Sequence, residues 1–151
     1  MAIRTDVTEH KDAEEKLIKQ AQIFQTVYDG IILTDLNGII TDWNKGSERM
    51  FGYAKEEVLG KTPSILHRPE EVFKLNEKIT KDVVKNGKWI GDIHFIRKDG
   101  STGICETNIV PFVDRAGNIV GTVGINHDIS ERKATEKKLK EYTLELEQFN
   151  R

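Results

Sequence analysis

The sequence has only one cysteine, Cys105, among its 151 residues. A single thiol cannot close an internal disulfide, and a chain so poor in cysteine is typical of a reducing compartment, so we expect a cytoplasmic location. Long apolar runs are lacking too, and the first residues contain no hydrophobic leader. This pattern predicts neither a signal peptide nor membrane contact by this segment.

An excess of charge of one sign is also absent, because 23 basic and 25 acidic residues give a net charge of −2. A protein that binds nucleic acid needs a basic face to neutralise phosphates, so the interspersed charges indicate no nucleic-acid partner. The length of 151 residues suits one domain with helical extensions.

Residue patterns for metal binding or catalysis are scarce. The sequence has four scattered histidines, His10, His67, His94 and His127. Their spacing is not that of helical metal ligands, so no metal site is predicted. Neither a glycine-rich phosphate loop nor a nucleophile elbow occurs. Acidic pairs at residues 56–57 and 70–71 begin predicted helices, where the helix dipole explains them, and we expect no catalytic residue.

What the sequence does contain is one motif twice. In residues 125–139 a β-branched strand pattern changes into a charged helical pattern, with Ser130 as the expected N-cap of the helix. Residues 3–17 align with this stretch without gaps, at an offset of 122 and with seven of 15 positions identical. We interpret the chain as one repeat of a tandem array that begins in the tail of the preceding repeat. The alternative is chance similarity between two helix starts rich in lysine and glutamate.

Hydrophobic periodicity and turn residues predict two short strands, a group of helices and three longer strands. The predicted strands are 30–34, 39–43, 89–97, 102–113 and 118–128. The predicted helices are 8–26, a short helix through residue 49 with Asn44 as its N-cap, 55–59, 70–85 and 130–150. Because only tight turns join the last three strands, this order requires an antiparallel sheet with helices on one side, which is an α+β fold.

Four stretches, in this order, resemble PAS sensor domains. They are DLNGIITDWN at 35–44, FGYAKEEVLGK at 51–61, WIGD at 89–92 followed by RKDGS at 97–101, and DISERK at 128–133. One departure is Ala54, where the family usually has a serine or threonine that caps the next helix. The resemblance implies the PAS fold, a five-stranded antiparallel sheet with helices on one face, flanked by N-terminal and C-terminal signalling helices. It places a preceding repeat tail and linker helix at 1–22, the PAS domain at 23–129 and a linker or coiled-coil helix at 130–151.

In PAS domains the ligand pocket lies between the inner face of the sheet and the helices. Strand alternation, matched to the family, places these candidates there: Trp89, Ile93, Phe95, Cys105, Thr107, Ile109 and Asn126. Asn126 lies where light-sensing LOV relatives have a glutamine that contacts flavin. Its amide could hold a ligand or bond to backbone, and we prefer the second interpretation.

The resemblance also limits the cofactor. LOV domains have their photoactive cysteine where this chain has Pro63, and flavin-binding amides where it has Phe95 and Cys105, so FMN bound in the LOV manner is not expected. Haem-binding relatives use a histidine of the long helix, and residues 70–85 contain none. We expect no cofactor, with FAD or an unidentified small molecule as the alternatives, because redox-sensing relatives share the Trp-x-Gly and Lys-Asp pattern.

The flanking helices have apolar residues at heptad spacing. In the last helix these are Leu139, Tyr142, Leu146 and Phe149. At the offset of 122 the first helix shows Leu17, Gln20, Phe24 and Val27. This spacing predicts a homodimer through the flanking helices, the alternative being that both faces pack on the sheet.

The sequence thus predicts a sensory module for signal perception, dimerisation and relay. Asp128 and Ser130 would fix the direction of the last helix and form the signal junction. The ending, LELEQFNR at 144–151, resembles the lead-in to histidine-kinase dimerisation domains, which implies a two-component sensor kinase with neighbouring PAS repeats and an output domain in the same chain. The alternatives are an FAD-binding redox sensor and, less favoured, a small α+β enzyme.

Overall fold

The computed structural model describes the backbone of residues 2–150 and the side chains of residues 7–150. The helices are α1 (Ala2–Thr26), α2 (Lys45–Phe51), α3 (Lys55–Val58), α4 (Pro69–Asn86) and α5 (Ser130–Phe149), with a 3-10 turn at Pro63–Leu66. The strands are β1 (Gly30–Asp35), β2 (Ile40–Trp43), β3 (Trp89–Ile96), β4 (Thr102–Val113) and β5 (Ile119–Asp128). All pairings are antiparallel, in the order β2-β1-β5-β4-β3, and the predicted α+β class is confirmed.

The central strand of the sheet is β5, which lies between β1 and β4. Its Asn126 is opposite Gly30 of β1 on one side and opposite Thr107 of β4 on the other. The strand that follows α1 and the strand that precedes α5 are therefore neighbours. Since they are antiparallel, α1 enters and α5 leaves at the same end of the sheet.

The core lies between the inner face of the sheet and helices α2 to α4. Its centre is a row of aromatic rings, in which Phe51 is 5.4 Å from Trp43 and 5.1 Å from Phe95 between ring centroids. The second pair meets edge to face, the arrangement that the ring quadrupoles favour. Along α4, Leu75, Ile79 and Val83 share one face of the helix and are partly buried against this core.

A single buried amide, Asn44, joins α1, β1 and α2. Its Nδ2 donates to the carbonyl oxygens of Phe24 and Asp29, each at 3.0 Å. Its Oδ1 accepts from the amides of Ile31 at 2.8 Å and Ser47 at 2.9 Å, so it is also the predicted N-cap of α2. All four hydrogen bonds are made with no exposure of Asn44 to solvent, which fixes the last turn of α1 to the domain.

The start of α3 shows how the chain manages without the hydroxyl that the family usually has. Ala54 provides no side-chain cap, but its backbone amide donates to Glu57 Oε2 at 2.8 Å, which is half of a capping box. Lys98 contacts the other oxygen of Glu57 and lowers the pKa of that carboxyl.

The first copy of the doubled motif does not fold as the second does. The helix predicted from residue 8 begins earlier, at Ala2, so the first copy of the motif is helical where residues 125–128 of the second copy form a strand. A strand needs a neighbour for its backbone hydrogen bonds, and the five strands of the sheet leave this segment unpaired, so it adopts a helix. The side chains of residues 2–6 are not among those described, and Met1 and Arg151 lie outside the described residues. The interpretation of residues 1–22 as a repeat tail and linker stays a prediction.

Candidate functional site

All seven predicted pocket residues lie on the inner face of the sheet. Trp89, Ile93 and Phe95 of β3 are buried, as is Cys105 of β4, and Ile109 is partly buried opposite Trp89. Strand alternation combined with the family match therefore located this face. Ligand binding at this face would depend in part on the hydrogen bonds that its polar atoms already make.

The polar atoms of the inner face bind one another and the backbone. Thr107 Oγ1 donates to Asn126 Oδ1 at 2.8 Å, and Asn126 Nδ2 donates to the Gly30 carbonyl at 3.0 Å. Cys105 Sγ lies 3.3 Å from Thr107 Oγ1 and donates to the Ile93 carbonyl at 3.6 Å. Among the described residues, every buried side-chain nitrogen or oxygen has a hydrogen-bond partner. A ligand that bound these polar atoms would compete with the hydrogen bonds that they already make.

The exit of the last strand is held by a second polar network, centred on Asp128. One carboxylate oxygen, Oδ1, accepts from the backbone amide of Ser130 at 2.9 Å, as the sequence predicted. The other, Oδ2, pairs with Arg97 Nη2 at 3.2 Å. Arg97 also donates from Nε to the Met50 carbonyl at 3.0 Å and from Nη1 to the Thr102 carbonyl at 2.9 Å. The start of α5 is thereby connected to α2, β3 and β4.

The prediction that the Ser130 hydroxyl caps α5 is wrong. Ser130 is the first helical residue, and its Oγ accepts from the Ile104 amide at 3.0 Å instead of from a first-turn amide. Ile129 N donates to the Ile104 carbonyl at 3.0 Å, so the hydroxyl continues the β4 to β5 pairing one position beyond the strand. Ser130 therefore fastens α5 to β4, while Asp128 satisfies an amide at the start of the helix.

A close approach at Gly103 completes this junction. A Cβ there would lie 2.5 Å from Phe95 Cζ and 2.8 Å from Ser130 Oγ, so only glycine lets the exit and the inner face meet. The Arg97 guanidinium lies over the Phe95 ring, 4.9 Å from the ring centroid. The inner face and the signal junction are consequently in direct contact through Phe95.

The heptad residues of the flanking helices are exposed. Leu17 and Leu139 are each 64% exposed, and Phe149 is 87% exposed. Tyr142 and Leu146 are also exposed, whereas Phe24, beside the Asn44 contact, is partly buried. The alternative in which these faces pack on the sheet of their own chain is therefore wrong for the exposed residues.

Two cavities open on the surface, the larger lined in part by Ile93 of the inner face and the smaller lined in part by Asp128. An open groove of about 380 Å³ separates α4 from the edge strand β3, and a smaller space of about 100 Å³ lies beside Arg49 and Arg97. In the groove, His67 Nδ1 is 3.0 Å from the His94 carbonyl, and burial lowers the pKa of the His67 imidazole. The neutral ring with a proton on Nδ1 satisfies that carbonyl.

Within the described part of the chain, no group of three histidine, cysteine, aspartate or glutamate side chains is arranged to hold a metal ion. In the same part, no helix combines the length and apolar character needed to cross a membrane.

Comparison with known proteins agrees with this architecture. The model of the PAS fold family matches residues 19–129, and the chain belongs to the PAS family. Sensor protein kinase WalK of Staphylococcus aureus (strain Newman) is 31% identical over 118 residues, covering 78% of this chain and 18% of the kinase. Two-component system protein A of Emericella nidulans is 33% identical over 116 residues, covering 76% of this chain and 17% of that protein. The chain spans less than a fifth of either relative.

Solved structures show the same fold. The PAS domain of a Colwellia psychrerythraea protein is 40% identical with a TM-score of 0.72, covering 76% of this chain and 98% of that chain. A light-oxygen-voltage domain studied with a flavin analogue is 28% identical with a TM-score of 0.63, covering 85% of this chain and 95% of that chain. A PAS domain in complex with ethanol, from a LuxR-family regulator of Burkholderia thailandensis, is 21% identical with a TM-score of 0.65 and covers 73% of this chain and 96% of that chain.

The buried thiol provides a test of how closed the inner face is. Burial raises the pKa of Cys105 from 9.0 to about 11, which lowers its thiolate fraction at pH 8 roughly 100-fold. Because the thiolate is the reactive form, we expect a thiol reagent to modify native Cys105 at least ~100-fold more slowly than the urea-unfolded chain. The rate would rise about tenfold per pH unit up to pH 11. A control with Cys105→Ser and Asn108→Cys places a thiol on the exposed face of the same strand, and equal rates in the two native proteins would contradict the closed inner face.

Proposed function

We propose that this chain is a cytoplasmic sensory PAS module that perceives a signal at its inner face and relays it through α5 to an output domain. The observation that carries the proposal is the Arg97–Asp128–Ser130 network. It connects the strands of the inner face directly to the first turn of the last helix. A signalling helix that left the domain without such contacts would not respond to events in the sheet.

The relay proceeds by geometry. Ligand binding or another change that moves Phe95 alters the space at Gly103, where Phe95 and Ser130 both approach the backbone. Ser130 and Asp128 then shift the first turn of α5, because each holds it by a hydrogen bond. Packed interfaces switch between discrete arrangements, so a small shift here becomes a change in how α5 packs further along.

Two copies of the chain pair through the flanking helices in this proposal. The exposed heptad residues Leu139, Tyr142 and Leu146 support it, since they form an apolar stripe that no part of the described chain covers. Two heptads are marginal alone, and the domain or a continuing coiled coil supplies the remaining stability. Pairing converts a rotation of α5 into a change of register between two helices.

The parent protein is proposed to be a sensor histidine kinase with neighbouring PAS repeats and an output domain in the same chain. Relatives that are 31% and 33% identical bear the names of a sensor protein kinase and a two-component system protein. The C-terminal helix, which resembles the lead-in to kinase dimerisation domains, supports the same parent. Catalysis would then belong to that output domain and not to this chain.

The second candidate, an FAD-binding redox sensor, draws no support from these relatives, whose names contain no flavin. We expect freshly purified protein to show no absorption bands near ~370 and ~450 nm, where an oxidised flavin absorbs through its own chemistry. Mass spectrometry of the denatured protein would identify a colourless ligand. A stoichiometric flavin spectrum that survives gel filtration would replace the first candidate with the second.

Pairing is testable on the chain itself. We expect sedimentation equilibrium to show a monomer–dimer equilibrium that Leu139→Glu combined with Leu146→Glu shifts to monomer, because charges at two seam positions cannot be buried unpaired. The control Val84→Glu alters an apolar side chain of α4 that is 82% exposed, and it should leave the equilibrium unchanged. Dimers that persist in the double variant would show that pairing uses another surface.

A test of the relay requires the intact parent protein, because the measured quantity is the output of its kinase. Asp128→Ala removes the contacts to Arg97 and to the Ser130 amide, and we expect a loss of about 1 kcal/mol in unfolding free energy with cooperative melting retained. The same change, combined with Ser130→Ala, should lock the kinase output or uncouple it from the stimulus. Glu131→Ala, which removes a neighbouring charge but none of these contacts, serves as the control. An unaltered response in the double variant would place the relay elsewhere.

A further inference from the structure

Four ionisable residues form a row across the outer face of the sheet, at the end where α1 enters and α5 leaves. Asp92 of β3 is opposite Glu106 of β4, and Glu106 is opposite His127 of β5. The register of β1 with β5 places Asp29, just before Gly30, next in the row. Three carboxylates therefore accompany one imidazole. Lys133 of α5 lies at the far end of the row, with Nζ 3.8 Å from Asp92.

One pair in this row joins the segment after α1 to the strand before α5. His127 Nδ1 lies 2.7 Å from Asp29 Oδ1, at residues 98 positions apart in the sequence. His127 points to the outer face, whereas its neighbour Asp128 points to the inner side and Arg97. The contact therefore lies on the opposite face of the sheet from Arg97, although both routes reach α5 through Asp128.

Each partner of this pair is linked to the end of a helix, Asp29 to the end of α1 and His127 to the start of α5. The Asp29 carbonyl shares the Asn44 amide group with the Phe24 carbonyl in the last turn of α1. His127 is followed at once by Asp128, which holds the Ser130 amide at the start of α5. A series of hydrogen bonds thus runs from α1 through Asn44 and Asp29 to His127, and the peptide bond to Asp128 continues it to the start of α5.

We propose that the Asp29–His127 pair is a proton-dependent coupling between the helix that enters the domain and the helix that leaves it. The inference rests on the proposed relay and extends it, because it gives the module a second input. Movement of α1 reaches α5 through this pair whether or not anything occupies the inner face. Asp29 and His127 act as positioning residues that set one helix end relative to the other.

The dependence on protons follows from the groups that face His127. Histidine is the side chain that ordinarily changes charge between about pH 5 and 8. Protonated His127 faces Asp29 at hydrogen-bond distance and Glu106 across the strand pair, with Asp92 and Lys133 beyond Glu106. Neutral His127 can keep the hydrogen bond to Asp29 but loses the attraction of opposite charges, and charge-assisted bonds are the stronger ones. The coupling is therefore tighter at low pH and looser at high pH.

Amide hydrogen exchange on the whole chain tests the proposal at both helix ends. The amide of Val27 donates to Ile23 in the last turn of α1, and the amide of Lys133 donates to Ile129 in the first turn of α5. After correction for intrinsic rates, we expect both protection factors to be about two- to fivefold higher at pH 5.5 than at pH 8, the size typical of a partly exposed ion pair. His127→Gln and, separately, Asp29→Asn should each abolish this pH difference at both amides.

The control is His10→Gln, which removes a histidine–carboxylate pair of similar length, 3.0 Å to Glu14, that lies within α1 and joins no second element. It should preserve the pH difference at Lys133. A difference that survives in His127→Gln, or an Asp29→Asn variant that alters Val27 but not Lys133, would overturn the coupling. Because the two variants change opposite partners, one exposed and one partly buried, either one suffices if the other lowers overall stability. Exchange needs neither stimulus nor kinase, so its result is distinguishable from failure of the proposed function.

Discussion

The arrangement of this domain depends on the four hydrogen bonds of Asn44. A buried amide with unsatisfied groups would cost several kcal/mol, so its partners must come together when the chain folds. Those partners belong to α1, the loop before β1, β1 itself and α2. Glycine is required at position 46 because a Cβ there would collide with the Asp29 carbonyl. One side chain thereby sets the position of the entering helix relative to the sheet, and both proposed inputs to α5 start from that fixed frame.

Two polar networks hold the end of β5 and the start of α5, one on each face of the sheet. On the inner side, Arg97 and Asp128 connect α5 to the core around Phe95, and on the outer side His127 connects it to Asp29. Alternation along β5 makes this division necessary, since consecutive residues point to opposite faces. In the proposed relay, two adjacent positions of one strand would transmit different inputs to the same first turn of α5.

Local patterns predicted those parts of the structure that local physics decides. The strand 102–113 was predicted with the bounds that are observed, because polar turns with glycine stand at each end. The inner face followed from alternation once one position was matched to the family. Ser130 was misassigned, since the competing partner, the backbone of Ile104, is set by strand pairing. The pair of Asp29 and His127 was missed for the same reason, because residues 98 positions apart meet only through the register of β1 with β5. Arg97 lies within the quoted motif RKDGS, and this position could have drawn attention to it as a partner for Asp128.

The adjacency of the first and last strands has an evolutionary consequence. A unit whose two ends emerge side by side can be inserted into a helical chain, or lost from it, with little displacement of what precedes and follows. Gene duplication can then multiply the unit without redesign of its neighbours, and each copy is free to diverge in what it detects while its ends stay interchangeable. Two versions of the exit sequence at an offset of 122 residues are the pattern that one such duplication would produce.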